Sequence, residues 1–533
     1  MLENILIRQV FATKQTKKQN SWNGISAVVL ILTVLAEALV LWNVWKLEIL
    51  PAKFLTALLV CLVLVTALLS LLLFQQTGRW QKRVSHSRQI VAYILCAAMI
   101  AVCGVGAHAL SKLGQTVDAI SQPNTISTVF GVYVLAEDPA QTIEDAAGYR
   151  IAMTDSVDTE HTRMAAEELS ALLGGTDIEN LESVNALVDA LYGGAADAIL
   201  LNQSYADMLT EVDDYADFFT RTKLLYEHSV IETVEATEPA TEDPASTDPS
   251  EETEPPVVDL DPTTMPFVVY LSGSDTRSKS LVKSRSDVNI LAAVNPVTKQ
   301  ILLVNTPRDY YVSNPAGDGA KDKLTHCGLY GMENSMGALS DLYGQPVHYY
   351  AQINFTGFET LVDAVGGVTV YSDTSFYAAE GGGFQIYAGK NNLNGRQALA
   401  FARERHNLAG GDNARGRNQM KVIAAIVDKL TAGTLIKNYS SILDSLQGMF
   451  VTSLSTEEIS DLIKMQLDDM ASWEVLSFAV TGDNGSDKNY SMPGLYSYVM
   501  YPHEEVVAQA SDLIGRLLDN EVLTEADLEL SVG

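Results

Sequence analysis

Four groups of charged residues lie beside apolar runs in the second half of this 533-residue chain. The first is Gly273-Ser274-Asp275-Thr276-Arg277. The second is Arg285-Ser286-Asp287, and the third is Pro307-Arg308-Asp309. The fourth begins at Arg403-Glu404-Arg405-His406 and continues through Gly411-Asp412 and Arg415 to Gln419. Arginines arriving from distant segments (Arg277, Arg285, Arg308, Arg403, Arg405, Arg415) suit an anion with many oxygens, because a planar guanidinium binds phosphate in a fork. Asp275 and Asp287 stand at adjacent strand ends, where two carboxylates could hold a hard divalent cation; Mg2+ takes few protein ligands and completes its shell with water and phosphate oxygens. Together these residues describe a pyrophosphate site in which metal and arginines offset charge moving onto a leaving phosphate. There is no glycine-rich Walker loop to suggest a nucleotide, and no Cys or His spacing suited to zinc. Any one group alone reads as an exposed ion pair, which is common and weak. Four of them at loop positions of one domain read as a site.

The elements that must position these groups are strands and helices of a mixed α/β domain running from about residue 266 to 520. Pro266–Gly273, Val288–Pro296 and Gln300–Pro307 read as strands, the last two joined at Val297–Lys299. Val347–Phe355 and Val368–Ser372 are further strands. Thr356–Val365 reads as a helix stopped by Gly366-Gly367, and Leu393–Arg405 and Arg415–Leu430 as two more. In the last of these, Met420, Ile423, Ala424, Val427 and Leu430 form an apolar stripe, and Arg415 and Gln419 share a face.

Nearer the N-terminus, residues 125–230 read as a small α/β accessory domain. Its strands are Val129–Ala136, Tyr149–Met153 and Asp197–Leu201, and its helices Thr162–Leu173 and Val184–Leu191. The alternation predicts a parallel sheet resembling one lobe of a solute-binding protein. Residues 231–265 are acidic and rich in Pro and Thr, the composition of an extended, self-repelling linker. Residues 521–533 are read as a C-terminal tail.

Three apolar stretches, Ile25–Trp45, Phe54–Phe74 and Ile90–Leu110, each have about the length needed to cross a bilayer as a helix. Glu37 lies inside the first and is expected to be neutral or packed against a neighbouring span. Basic residues concentrate in the tail (Arg8, Lys14, Lys17, Lys18) and in the second loop (Arg79, Lys82, Arg83, Arg88). By the positive-inside rule both face the cytoplasm, so an odd number of spans places everything after Leu110 outside. Trp22, Trp42, Trp45 and Trp80 flank the spans as interface anchors. The net charge of −31 argues against nonspecific nucleic-acid binding, which needs Lys and Arg to displace counterions. Of four cysteines, Cys61, Cys96 and Cys103 fall in apolar runs, so Cys327 has no partner for a disulfide framework in the polar part. It follows His326, and a small buried thiol is the expected reading over a nucleophile.

From about Phe267 to Ile426 the chain resembles the LytR-CpsA-Psr family. The resemblance is carried by VVYLSGSDTRSKSLVKSRSDVNILAAVNPVTKQILLVNTPRDYYV, by KLTHCGLYG with HYYAQINFTGFETLVDAVGGVTVYSD, and by LNGRQALAFARERHNLAGGDNARGRNQMKVIAAI. Leu435–Leu518 is similar to the extended end of that domain in some members. The resemblance implies an α/β/α sandwich with a mixed central sheet and an apolar pocket for a polyprenyl chain. It implies an enzyme anchored in the bacterial cell membrane with its catalytic domain outside. Such enzymes use Mg2+, with Mn2+ as the alternative cation, to move a glycopolymer such as teichoic acid or capsular polysaccharide from polyprenyl pyrophosphate to a peptidoglycan sugar hydroxyl. By position, Asp275 and Asp287 match metal-binding aspartates, and Arg285, Arg308, Arg403, Arg405 and Arg415 match pyrophosphate-binding positions. Gln419 matches a polar position near the head group. Asp309 either orients Arg308 or acts as a base. The chain departs from the family at Asn418, where many members carry an arginine. Two other functions are open at this stage: a hydrolase of the same lipid pyrophosphate, and a nonenzymatic wall-binding or signalling receptor using residues 125–230.

Overall fold

A computed structural model describes residues 2–47, 50–74, 86–121, 126–156, 158–232, 260–274, 283–379, 383–431, 446 and 448–529. The acidic linker expected at 231–265 therefore lies almost wholly outside the described residues, as do Asp275 and Arg277. The chain forms two compact units, Met1–Val117 with Thr456–Met470, and Asp118–Ser455 with Ala471–Gly533.

The first unit holds three long helices, α1 (Leu2–Leu47), α2 (Ala52–Leu73) and α3 (His86–Ser121). Asn23–Leu47, Ala52–Leu73 and Arg88–Lys112 are long and apolar enough to cross a membrane, matching the three stretches read from the sequence. Most of their large apolar side chains point outward, as lipid-facing positions would. Several of their polar groups pair inside the bundle, where an unsatisfied one would cost several kcal/mol. Glu37 is buried and accepts hydrogen bonds from Thr66 Oγ1 at 2.7 and 2.6 Å, and Ser26 meets Tyr93 at 2.9 Å. The helix Thr456–Asp469 belongs to this unit and reaches α2 through an exposed Lys53–Asp468 ion pair of 3.0 Å.

In the second unit, the accessory segment forms a five-stranded sheet ordered β3-β2-β4-β1-β5. Its elements in chain order are β1 (Ile126–Leu135), β2 (Ile151–Met153), α4 (Thr159–Leu172), β3 (Ile178–Asn180), α5 (Val184–Tyr192), β4 (Ala198–Asn202), α6 (Gln203–Leu209), α7 (Phe218–Arg221) and β5 (Thr222–Glu232). The sheet is mixed rather than parallel. β2 runs parallel to β3 and β4, but β1 is antiparallel to both β4 and β5. The difference lies in β1, which enters the sheet beside β4 in the opposite sense. β5, whose Lys223, Glu227 and His228 interrupt its apolar run, pairs with β1 along its length and is the edge strand.

The larger sheet has six strands in the order β16-β11-β6-β7-β8-β17. The elements up to its far edge are β6 (Phe267–Ser274), β7 (Val288–Asn295), β8 (Gln300–Asn305), β9 (Tyr311–Asn314), β10 (Ala320–Lys323), α8 (Leu324–Cys327), α9 (Met332–Tyr343), β11 (Tyr349–Asn354), α10 (Phe355–Ala364), β12 (Val368–Ser372), β13 (Phe376–Ala378), β14 (Phe384–Ile386), β15 (Gly389–Leu393), α11 (Gly395–Arg403), α12 (Gly411–Lys429), β16 (Phe450–Thr452) and β17 (Glu474–Ala479). A hairpin, β18 (Gly482–Asn489) and β19 (Met492–Pro502), and the helix Glu504–Leu518 complete it. Alternation along the strands splits their side chains between two faces. Val268, Tyr270, Leu291, Ala293, Leu302 and Val304 share a core with α9 and the helix Glu504–Leu518. Leu271, Ala351 and Ile353 point the other way, towards α10, α11 and α12. The result is the α/β/α layering expected, with a mixed sheet: β6 and β11, and β8 and β17, pair in parallel, whereas β6–β7 and β7–β8 are antiparallel.

Register decides what meets at the sheet end. Gly273 faces Val288, Ser274 faces Asn354, and Ile290 faces Asn305. The carboxyl ends of β6, β8 and β11 and the start of β7 therefore lie side by side. The crevice outside the carboxyl ends of strands is the usual binding place in open α/β sheets.

Candidate active site

Asp287 precedes β7 and Arg308 follows β8, so the antiparallel register brings them together. Arg308 Nη1 donates to Asp287 Oδ1 at 2.9 Å. Asp309 Oδ2 stands 3.5 Å from Arg308 Nε, which is buried and has no aligned hydrogen-bond acceptor among the described residues. Burial opposes the charge on Asp287, but Arg308, then Arg285 and Arg415, outweigh it and hold the carboxyl below its ordinary range. The Arg308 guanidinium is likewise held in its charged form: burial opposes it, and Asp287 and Asp309 more than compensate.

Helix α12 begins at Gly411, one turn earlier than the sequence suggested, so Arg415 sits in its second turn. Its neighbour Gly416 packs directly on Asn305 at the end of β8, where any Cβ would collide with the Asn305 amide. That contact places Arg415 near Arg308 and Asp287. Arg415 Nη2 meets Asp412 Oδ1 at 2.7 Å, yet burial and the proximity of Arg308 lower its proton affinity.

The Arg403–Arg405 segment divides. Glu404 is buried and turned away from the cluster, accepting from the backbone N–H groups of Ala379 at 2.7 Å and Asn407 at 3.0 Å. It shapes the loop that sets its two neighbours. Arg403 lies over the Phe355 ring at 4.4 Å, a cation–π contact. Arg405 is exposed and donates to His406 Nε2 at 3.3 Å. Asn418 does not face the head-group cluster; it is buried and ties α12 to Phe401 O at 3.3 Å. Arg417 is exposed.

Beside these charges lies a cavity of about 290 Å³ with almost wholly apolar walls. Phe358, Leu361, Ile423, Ile426 and Phe450 contribute to it, and Gly273, Val288, Arg403 and Gln419 mark the end shared with the charged site. The stripe on α12 is thus partly a cavity wall, not core packing alone.

Two residues of the cluster were not visible as site residues in the sequence. Lys323, at the end of β10, is fully buried with its Nζ 3.6 Å from Asp309 Oδ1. Glu211, from the accessory segment, pairs with both Lys323 and Arg285. Burial raises the Glu211 carboxyl, but Lys323, Arg285 and Arg308 outweigh it and hold the group at about 2. Lys323 had one weak signal, a lysine closing a strand just before a buried turn; Glu211 had none. His326 pairs through Nδ1 with Asp322 Oδ1 at 2.7 Å, and the Cys327 thiol is buried, pushed up by burial and donating weakly to Lys323 O. Cys327 is a packing residue.

Among the described residues no group of three or more His, Cys, Asp or Glu is arranged to hold a metal ion. A hard cation that takes one or two carboxylates and phosphate oxygens still suits Asp287, whose carboxyl is held below its ordinary range and whose neighbour Val288 lines the cavity. Asp275 lies outside the described residues.

An apolar slot opening onto converging guanidiniums, at the strand ends of a mixed α/β sheet, is a site for an amphiphilic anion. The LytR_cpsA_psr family model matches residues 229–510. The polyisoprenyl-teichoic acid–peptidoglycan teichoic acid transferase TagU of Enterococcus faecalis is 38% identical over 205 residues, which are 38% of this chain and 65% of that protein. The TagU of Bacillus mycoides is 30% identical over 223 residues, 42% of this chain and 71% of that one. The X-ray structure of the Lin1025 protein from Listeria innocua overlaps 48% of this chain and 99% of its own at 29% identity and a TM-score of 0.39. The chain belongs to the LytR_cpsA_psr family, on the strength of the sequence matches. It spans about two thirds of the length of the curated relatives just named.

Proposed function

We propose that this chain is a membrane-anchored phosphotransferase that moves a glycopolymer from polyprenyl pyrophosphate to a peptidoglycan sugar hydroxyl on the outer face of a bacterial cell membrane. The observation that carries this reading is the apolar cavity ending at Arg403 and Gln419, next to Asp287 and Arg308. A polyprenyl chain would fill the cavity, with the pyrophosphate among Arg285, Arg308, Arg403, Arg405 and Arg415. The acceptor hydroxyl oxygen attacks the phosphorus next to the glycan, the bond from that phosphorus to the bridging oxygen breaks, and polyprenyl phosphate leaves, its phosphate or solvent taking the hydroxyl proton. Arg308 stabilises charge on the leaving oxygens, with Asp309 orienting it from 3.5 Å. Asp287, held ionised by its arginine neighbours, is a poor proton acceptor and a good cation ligand; with Asp275 it would hold Mg2+ or Mn2+. That ion would supply Lewis-acid neutralisation of the phosphate oxygens. The basic tail and second loop support the outward orientation: by the positive-inside rule they would face the cytoplasm, and three spans would then leave the catalytic segment outside.

The test uses the full chain in detergent with Mg2+, a short polyprenyl-pyrophosphate-linked glycan and peptidoglycan oligomers, read by mass spectrometry beside Asp287→Ala. Transfer in the wild type and its loss in the variant are expected. Release of phosphoglycan without transfer, given acceptor in excess, would replace the transferase by a hydrolase. Binding without turnover would favour a receptor.

The cavity makes its own prediction. Ile423→Trp should fill the slot and weaken binding of a long-chain polyprenyl pyrophosphate by about tenfold or more, the worth of roughly two buried methylenes. Binding of inorganic pyrophosphate should stay within about twofold. Calorimetry with the two ligands checks this, and equal losses for both would remove the chain from the cavity.

A further inference from the structure

The head-group cluster includes one carboxylate that does not come from its strand ends. Helix α6 is capped by Asn202, whose Oδ1 accepts from Ser204 N at 3.0 Å. Tyr205, Met208, Leu209 and Val212 bury one face of this turn in a core that also contains Leu329 and Met492, residues of the larger sheet's connections. Lys283 N donates to Ser127 O at 2.9 Å at the same junction. Glu211 is carried on this anchored backbone, its N–H donating to Met208 O at 3.1 Å. Its Oε1 accepts from Arg285 Nη1 at 2.6 Å and lies 3.7 Å from Arg308 Nη2, while Oε2 accepts from Lys323 Nζ. The Lys323 side chain is 1% exposed and that of Arg285 11%. A buried ammonium without a close anion is strongly disfavoured, and Asp309 is farther from it than Glu211. The carboxylate is therefore a built part of the cluster, delivered by docking of the 126–232 segment.

We propose that Glu211 is a positioning residue of the transferase: it fixes the guanidiniums of Arg285 and Arg308 and the ammonium of Lys323 in the arrangement that receives the pyrophosphate. This makes the accessory segment a component of the active site, and it rests on the transferase reading above. One carboxylate shared by three cations has two effects. It sets the direction of the arginine forks, and it offsets part of the positive charge that draws the substrate in. Glu211→Gln keeps the shape and removes the charge. The substrate anion should then bind more tightly, while the less restrained guanidiniums support turnover less well.

The experiment measures Kd for geranyl pyrophosphate by calorimetry, and kcat, KM and thermal stability, for the full-length wild type, Glu211→Gln and Glu211→Asp in detergent. Expected for Glu211→Gln are a Kd roughly fivefold lower, a KM no higher than wild type, and a kcat lower by roughly tenfold to a hundredfold, the scale of an ångström's misplacement. Glu211→Asp should recover part of kcat, because the charge returns one methylene short. An unchanged Kd and kcat would overturn the proposal. A rise in kcat would overturn it too, showing a carboxylate that competes with the substrate. So would a fall in kcat matched by lost stability with no recovery in Glu211→Asp. Should Glu211→Gln fail to fold, the double variant Glu211→Leu with Lys323→Met, which removes the buried pair without stranding a charge, is compared with Lys323→Met alone, in which Glu211 still meets Arg285 and Arg308. The double variant should have a kcat at least about tenfold below that of Lys323→Met; equal values would show that Glu211 only neutralises Lys323 and would overturn the proposal. If the wild type binds geranyl pyrophosphate but transfers nothing, the transferase reading falls, and the Kd comparison still decides whether Glu211 controls the cluster.

Discussion

Transfer by an Arg308→Ala protein is expected to fall by about 10²–10³-fold in kcat, the usual effect of removing one preorganised donor from a developing oxyanion. Arg308 joins the site's carboxylates: it donates to Asp287, neighbours Asp309 and approaches Glu211. Its Nε is buried and faces Asp309 Oδ2 at 3.5 Å, so the carboxylate orients the guanidinium from behind. Alanine would also remove the main charge partner of Asp287, so that carboxyl would rise towards its ordinary range. Arg308→Lys should recover only a small part of the loss, because an ammonium supplies a point charge and not a fork. Single-turnover kinetics on a polyprenyl-pyrophosphate-linked glycan measures this directly. A kcat within threefold of wild type for Arg308→Ala would remove Arg308 from the head-group site.

The largest stability effect is expected at Asp322, away from the cavity. Its side chain is fully buried and accepts from His326 Nδ1 at 2.7 Å, Ser491 Oγ at 2.5 Å, Ser491 N at 3.1 Å, Asn314 Nδ2 at 3.1 Å and Lys323 N at 2.8 Å. These bonds tie β10 and α8 to the turn of the β18–β19 hairpin, and so hold Lys323 in place. Asp322→Ala strands His326 and several donors in the interior and should cost about 3–5 kcal/mol, as breaking a buried pair from one side does. Burial opposes the Asp322 charge, but His326 and the hydrogen bonds from Ser491 and Asn314 outweigh it and hold the carboxyl below its ordinary range. A carboxyl depressed on folding stabilises fully above its unfolded value of about 3.9, and that contribution disappears as pH falls through the folded value. Wild-type stability should therefore decline on acidification below about pH 4, and Asp322→Ala should lose less across that window. Thermal unfolding of both proteins at neutral pH and below pH 4 tests this. Equal slopes would show that Asp322 contributes no charge-dependent stability.

Much of the site was readable because its residues stand next to strong local patterns. Asp287 and Arg308 flank two apolar strands read from the sequence; that they meet follows from the register of Ile290 against Asn305, which the structure supplies. Arg415 and Gln419 follow from helical spacing, even though α12 starts earlier than the apolar stripe indicated. The accessory sheet differs from the parallel expectation because β1 runs antiparallel to β4, and strand direction is set by how the chain docks β1 between β4 and β5, which alternation of strands and helices does not encode.

The sequence by itself determined the three apolar spans and the α/β character of the second half, and it put arginines and aspartates beside the strands as candidates. Each depends on residues within a few turns or strand lengths of one another. Only the tertiary structure decided that Glu404 turns inward to brace a loop, that Asn418 serves packing, and that Lys323 and Glu211 join the cluster. Glu211 and Lys323 are 112 positions apart in sequence. Their contact depends on docking one sheet against another through Tyr205, Leu329 and Met492, and the side-chain packing that brings such distant charges together leaves no local periodicity to read.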